Sequence, residues 1–177
     1  MQSKKIFFLA FLIFRAVAIE FRSKRESKKW RFFWDYTFAV SSFGIAFVVG
    51  VILGNLIEGV PLNEHQDFVS SLFLSLKPYP VLVGLMTTAL FVMHGAIYLV
   101  MKTEGALHNR LRRWVKKTIT LFISSYLITT LITYFYMPHM LTFLNESPWL
   151  ALIPLVALGL ILSIPVQMHK GRDGWAF

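Results

Sequence analysis

"YTFAVSSFGIAFVVGVILGNLI", residues 36–57, runs for 22 positions without a charged side chain. A helix needs about 20 apolar residues to cross the hydrocarbon core of a bilayer, so this stretch is long enough to do so by itself. The rest of the chain supports that reading. Of its 177 residues 56% are hydrophobic and the mean hydropathy is +0.60, more apolar surface than a soluble domain of this size can hide. The apolarity is also uneven, with long charge-free stretches alternating with short polar ones, and lipid is the natural solvent for the former. Residues 81–101, 118–137 and 149–168 are further segments of spanning length, and 6–21 is a shorter one that contains Arg15. The fold class expected is all-α: a polytopic membrane protein with about five transmembrane helices in one helical domain over residues 1–177.

The charges give an orientation. Six lysines and arginines lie in residues 22–31, six in 102–117 and two after Met168, whereas 58–80 and 138–148 hold only Lys77 between them. Short loops rich in lysine and arginine stay on the cytoplasmic side, so the three basic segments are expected in the cytoplasm and the other two connections outside. The aromatic residues agree, because amphipathic rings favour the headgroup level. Trp30, Phe32, Phe33, Trp34 and Tyr36 mark the inner boundary with Trp114, and Tyr79, Tyr134, Tyr136 and Trp149 mark the outer one. Lys4 and Lys5 depart from the alternation. The run after them closes on Arg15, Glu20 and a cationic block rather than on a small-residue cleavage site, which argues against a signal peptide. The net charge of +9 does not indicate nucleic acid, since the cations sit between apolar spans rather than on one water-facing surface. With no cysteine in the chain, disulfides and thiolate metal sites are excluded.

Within the span at 36–57, Ser42, Ala46, Gly50 and Gly54 recur every four residues. Four small side chains on one helical face let another helix approach closely, within the subunit or from another. The segment at 118–137 carries Thr120, Ser124, Ser125, Thr129, Thr130 and Thr133. Such hydroxyls could line a pathway, but they more commonly bond their own helix backbone or a neighbour, and packing is the reading favoured here. Ser147 and Pro148 read as an N-cap and first-turn proline for the last span, which Pro154 and Pro165 should bend. On the outer side, Phe68, Leu72, Phe73 and Leu76 form a helical stripe, and 64–76 is expected to lie as a helix on the membrane surface.

Few residues could carry chemistry. Phosphate-binding glycine loops, zinc-ligand spacing and a Ser/His/Asp arrangement are absent. Glu58, Glu64 and Asp67 share an outer loop, where carboxylates are ordinarily just solvated. His94, beside Gly95, is the one histidine within a span. It could ligate a haem iron or relay a proton, although a neutral imidazole bonded to a neighbouring helix accounts for it with less. Arg15 is costlier, since a charged side chain in lipid costs at least about 2.5 kcal/mol on the lowest scales. Either it snorkels to the surface or it has a partner: Glu20, Asp35, or a group on another chain.

"FRAVAIEFRSK" and "WDYTFAVSSFGIAFVVGVILGNLIEGVPL", followed by "GLMTTALFVMHGAIYLVMKTEGALHNRLRRW", resemble the central part of subunit II of cytochrome bd-type quinol oxidases. Gly84, His94, Gly95, Ala96, Lys102, Thr103, Glu104 and Gly105 are the clearest matching elements, and "GRDGWAF" at the end resembles a segment leading into a later helix. The likeness covers nearly the whole chain in order. The family has further helices on both sides, so the resemblance implies that this sequence is a central fragment. It also implies a respiratory complex of the bacterial inner membrane that couples quinol oxidation to reduction of dioxygen to water. The two b-type haems, the d-type haem and the quinol site are expected in the partner, subunit I, and no cofactor or catalytic residue in this chain. Arg15, Glu20 and Asp35, the small-residue stripe, His94, Gly95, Lys102 and Glu104 are then candidates for structural or subunit-interface roles. A small multi-spanning carrier or channel is the competing reading, weakened because three of the spans carry no charge. An inert remnant of such a subunit is another.

Overall fold

The computed structural model describes residues 2–59, 76–136, 149 and 152–169. Its helices are α1 (Gln2–Arg22), α2 (Lys28–Glu58), α3 (Pro78–Met101), α4 (Gly105–Tyr136) and α5 (Leu152–His169), and no strand occurs among the described residues. The chain divides into two compact units, Met1–Thr88 and Ala89–Phe177, with the division inside α3. The expected helix at 64–76, the Ser147–Pro148 cap, Glu64, Asp67 and the segment from Gly171 lie outside the described residues, except for Leu76.

The helices overrun the apolar segments. α2 begins eight residues before position 36 and α4 thirteen before position 118, so Lys28, Lys29, Arg31, Arg110, Arg112, Arg113, Lys116 and Lys117 stand on helices rather than in loops. Length explains this. At 1.5 Å per residue the 31 residues of α2 extend about 46 Å, against a hydrocarbon core of about 30 Å. The surplus turns reach water, where lysine and arginine are good helix formers. Length and apolarity together suffice for a membrane crossing in α2, α3 and α4. α1 carries Arg15 and Glu20, and the strongly apolar part of α5 is confined to Leu155–Gln167. The chain is a multi-pass membrane protein.

In the first unit α1 and α2 pair as an antiparallel hairpin. Phe11 meets Gly44, Arg15 lies over Phe38, and the Phe21 ring lies tilted against Trp34, so residue numbers fall along α1 as they rise along α2, away from the turn at 23–27. The buried face of α2 is Ser41, Gly44, Ala46, Gly50, Val51 and Gly54. On α3 the buried positions Tyr79, Val83, Thr87, Met93, Ile97 and Val100 recur at steps of three and four, with a slip between Thr87 and Met93. Val115, Ile119, Phe122 and Thr129 do the same on α4. Many of the remaining large apolar side chains are exposed, Phe91, Leu99, Leu131 and Leu160 among them. That is how helices solvated by lipid or by other helices look, since lipid gives apolar side chains no reason to hide.

Candidate functional site

Three places collect the side chains singled out by the sequence. The first is the turn between α1 and α2. Ser23 Oγ donates to Glu20 O at 2.9 Å and Lys24 N to Phe21 O at 3.2 Å, ending α1. Trp30 Nε1 reaches back across the turn to the same Phe21 carbonyl at 2.8 Å. Trp34 sits among Phe21, Trp30 and Phe33, with ring centroids 5.2, 5.7 and 5.3 Å away, and its indole nitrogen is buried without an acceptor.

Asp35 accepts from Arg22, Nε to Oδ1 at 2.5 Å and Nη2 to Oδ2 at 3.4 Å. This hydrogen bond, and the carboxylate charge behind it, raise the Arg22 guanidinium pKa further above its already high value. Glu20 lies 3.8 Å from Lys24 one turn on. Neither carboxylate is therefore paired with Arg15, whose guanidinium carbon lies 5.4 Å from the centre of the Phe38 ring. A cation over an aromatic face recovers some of what water would have supplied. The hairpin register decides the pairing: position 22 falls opposite 35, and position 15 opposite 38.

The second place is the seam between α2 and the first part of α3. A Cβ on Gly50 would lie 2.7 Å from Gly84 Cα and from Thr87 Cβ, and one on Gly54 would lie 2.6 Å from Pro80 Cα. On the α3 side, a Cβ on Gly84 would come within 2.9 Å of Phe47 and Val51. Real side chains do not fit there, so glycine sets the approach of the two backbones. Ala46 is buried on the same face, and Ser42 is half-buried with its hydroxyl enclosed and lacking a partner. The hydroxyls of Thr87 and Thr88 return to Val83 O and Gly84 O of their own helix, each at 2.8 Å, which leaves the Ser42 hydroxyl as the unpartnered polar atom of this stretch of the seam.

At the Gly54–Pro80 end of the seam Lys77 Nζ bonds Glu58 Oε1 at 2.8 Å. Glu58 Oε2 is buried without a hydrogen-bond partner. Gly59, at φ 90°, ends α2 in a conformation other residues rarely adopt. Sequence reasoning missed this pair, treating Glu58 as a solvated carboxylate. The available signal was that Lys77 is the lone cation of its connection and stands one residue before α3.

The third place is the turn between α3 and α4, made by Lys102, Thr103 and Glu104 alone. Lys102 N donates to Tyr98 O and Leu99 O at 3.2 Å, and Thr103 Oγ1 to Leu99 O at 2.8 Å. Gly105, at φ 68°, reverses the chain. His108 Nδ1 then lies 3.1 Å from both Val100 O and Thr103 O. Both partners are acceptors, so Nδ1 carries the proton and the ring holds the two helix ends together. His108 was not singled out from the sequence either, since a histidine just inside a basic helix gives no sign that it faces backwards. Lys102 Nζ lies 5.9 Å from the Tyr98 ring, and Glu104 is exposed. His94 and Gly95 are exposed on α3, and a Cβ on Gly95 would meet nothing within 4 Å.

The hydroxyls of α4 bond their own helix. Thr120, Ser124, Ser125, Thr129 and Thr133 donate to Lys116 O, Leu121 O, Phe122 O, Ser125 O and Thr129 O at 2.7–3.0 Å. They are spent on backbone carbonyls rather than offered to a passing solute. No group of three or more His, Asp or Glu side chains comes together to hold a metal among the described residues.

Comparison with known proteins agrees with this picture of packed helices and charged turns. The family described as cytochrome bd terminal oxidase subunit II matches residues 5–177. Cytochrome bd-I ubiquinol oxidase subunit 2 of Escherichia coli K12 is 39% identical over 111 residues, 60% of this chain and 29% of that protein. The probable cytochrome oxidase subunit 2 of Haemophilus influenzae is 37% identical over 108 residues, 59% of this chain and 29% of its own length. Cytochrome bd ubiquinol oxidase subunit 2 of Bacillus subtilis is 30% identical over 169 residues, 94% of this chain and 48% of that protein. The matched region thus covers from under a third to about half of each relative. With a match running through all five helices, the chain belongs to the cytochrome bd terminal oxidase subunit II family.

Proposed function

We propose that this chain acts in aerobic respiration as the subunit II component of a quinol-oxidising, dioxygen-reducing oxidase in the bacterial inner membrane. The observation that carries the reading is the family match over residues 5–177, together with relatives named as ubiquinol oxidase subunits. The haems and the quinol-oxidising site belong to a partner, subunit I, and this chain contributes the helical surface against which that subunit is held. The chain itself is not catalytic. His108 and His94 suit this role: the first is committed to two backbone carbonyls, and the second stands on an exposed helix face beside a glycine. No catalytic step is assigned to a residue of this chain.

The interface residues proposed are His94 and Gly95 with the exposed Phe91 and Tyr98 on α3. Gly50 and Gly54, with Ser42 and Ala46 on the same face, serve the internal packing of α2. Lys102 and Glu104 shape the turn that orients α4. Arg15, Glu20 and Asp35 stabilise the hairpin at the cytoplasmic end, with the basic segments 22–31 and 102–117 and the C-terminus on that side. Affinity purification of the tagged chain from its own host tests the reading. Quinol-dependent oxygen consumption in the eluate supports it, and an inactive eluate from a host whose membranes retain the activity contradicts it. Because the sequence holds no cysteine, a single cysteine at position 25 or 109 reports sidedness directly. Labelling from the periplasm would overturn the orientation.

A further inference from the structure

The turn between α1 and α2 has more charge than orientation requires, and the structure leaves part of it uncompensated. Between Glu20 and Asp35 six cations face three carboxylates. Asp35 is taken by Arg22 and Glu20 by Lys24. Arg25 lies over the Trp30 ring at 5.1 Å, which fixes its direction without cancelling its charge. Lys28, Lys29 and Arg31 are exposed and make no ion pair among the described residues. They open α2, whose first turn contains no acid, the reverse of what a helix dipole favours. The positive potential is therefore directed outward.

The neighbouring surface says what kind of anion it meets. Lys28, Phe32 and Tyr36 follow one another at steps of four along one face of α2. Phe32 is 73% exposed and Tyr36 63%, and Phe33 beside them is 56% exposed. Phe32 lies four residues, about 6 Å, beyond Lys28 and Tyr36 as far again, with Arg31 beside Phe32, so the cations lead and the rings follow along the helix. Amphipathic and apolar rings beside lysine and arginine are the pattern of a membrane interface, where the rings sit at the headgroup level. A phospholipid has a phosphate where the cations lead and the start of its acyl chains where the rings follow.

We propose that Lys28, Lys29 and Arg31, with the exposed Phe32 and Tyr36 below them, form a binding surface for the headgroup of an anionic phospholipid of the cytoplasmic leaflet. Trp30, locked to Phe21 O, and the Arg22–Asp35 pair hold the turn in place while the three free cations meet the phosphate. Each cation near an anionic surface contributes at most roughly a fivefold preference, so the three together favour anionic over zwitterionic lipid by up to about 100-fold.

The test uses the full chain in the complex it purifies with, in nanodiscs containing either brominated phosphatidylglycerol or brominated phosphatidylcholine at equal bromine density. Trp114, Trp149 and Trp175 are changed to Phe, and the signal of Trp30 and Trp34 is read as the difference from the same complex in which these two are also Phe. Preferential quenching by the brominated phosphatidylglycerol is expected, falling about 10-fold or more in relative association when Lys28, Lys29 and Arg31 are all changed to Gln. The charge-preserving set Lys28→Arg, Lys29→Arg and Arg31→Lys should retain the preference, which separates loss of charge from a damaged fold. Equal quenching by the two lipids in the unaltered turn overturns the proposal. So does an undiminished preference in the glutamine variant, or a loss shared by the charge-preserving one.

Discussion

Gly50 and Gly95 are both helical glycines in apolar sequence, yet their surroundings are opposite. A side chain on Gly50 would collide with the backbone of Gly84, whereas one on Gly95 would meet nothing within 4 Å. The first glycine is there because two helices of this chain touch. The second, beside His94, stands on a helix face that is exposed among the described residues. A small residue in a membrane helix thus marks a close approach only when something approaches, and neighbours in space, more than spacing in sequence, separate the two cases.

Paired substitutions break this comparison most directly. Gly50→Leu should destabilise the chain by about 1–3 kcal/mol or more, because the obstacle is backbone and cannot swing aside. Gly95→Leu should leave the stability of the isolated chain within about 0.5 kcal/mol, as for other exposed positions. Thermal unfolding in mild detergent reads both, and equal losses would erase the distinction. If Gly95→Leu spares the chain but releases whatever co-purifies with it, the exposed face is an interface.

The Lys77–Glu58 end of the seam sharpens the same contrast. Lys77→Met leaves the partly buried Glu58 unpaired and should cost about 1–2 kcal/mol, less than for a fully buried pair because Lys77 is partly exposed. Adding Glu58→Gln should recover part of that loss, so a double-mutant cycle with no coupling would contradict the pairing. At the α3–α4 turn His108→Ala removes a donor shared by two carbonyls and should cost about 0.5–1.5 kcal/mol, measurable as faster amide exchange at the start of α4. The smallest effect is expected from Thr129→Val, under about 0.5 kcal/mol, since the hydroxyl serves only its own helix. Oxidase turnover and proton release should be unchanged in that variant, and a large fall in either would revive a hydrophilic path along α4.

Most of the architecture could be read from charge-free length and from where the cations fall. The helix ends could not. A lipid argument bounds the part of a helix that crosses hydrocarbon, while Lys28 and Arg110 extend their helices through water at little cost. The Ser42, Ala46, Gly50 and Gly54 spacing predicts a close approach without naming its other side. Gly84 and Pro80 supply that side because an antiparallel register puts them opposite, and register is a property of two helices together. The same reason explains Arg15. Distance along the sequence suggests Glu20 or Asp35 as its partner, but the hairpin places Asp35 against Arg22 and gives Arg15 the Phe38 ring. Likeness to subunit II sequences carried the functional reading further than any single side chain did.

The partner proposed for this chain is a haem-bearing subunit. A visible absorption spectrum of what co-purifies with it, in mild detergent and with a C-terminal tag in its own host, tests that directly. A long-wavelength d-type haem band accompanied by b-type bands is the predicted result. A colourless preparation in good yield, from cells whose membranes do show those bands, would contradict it.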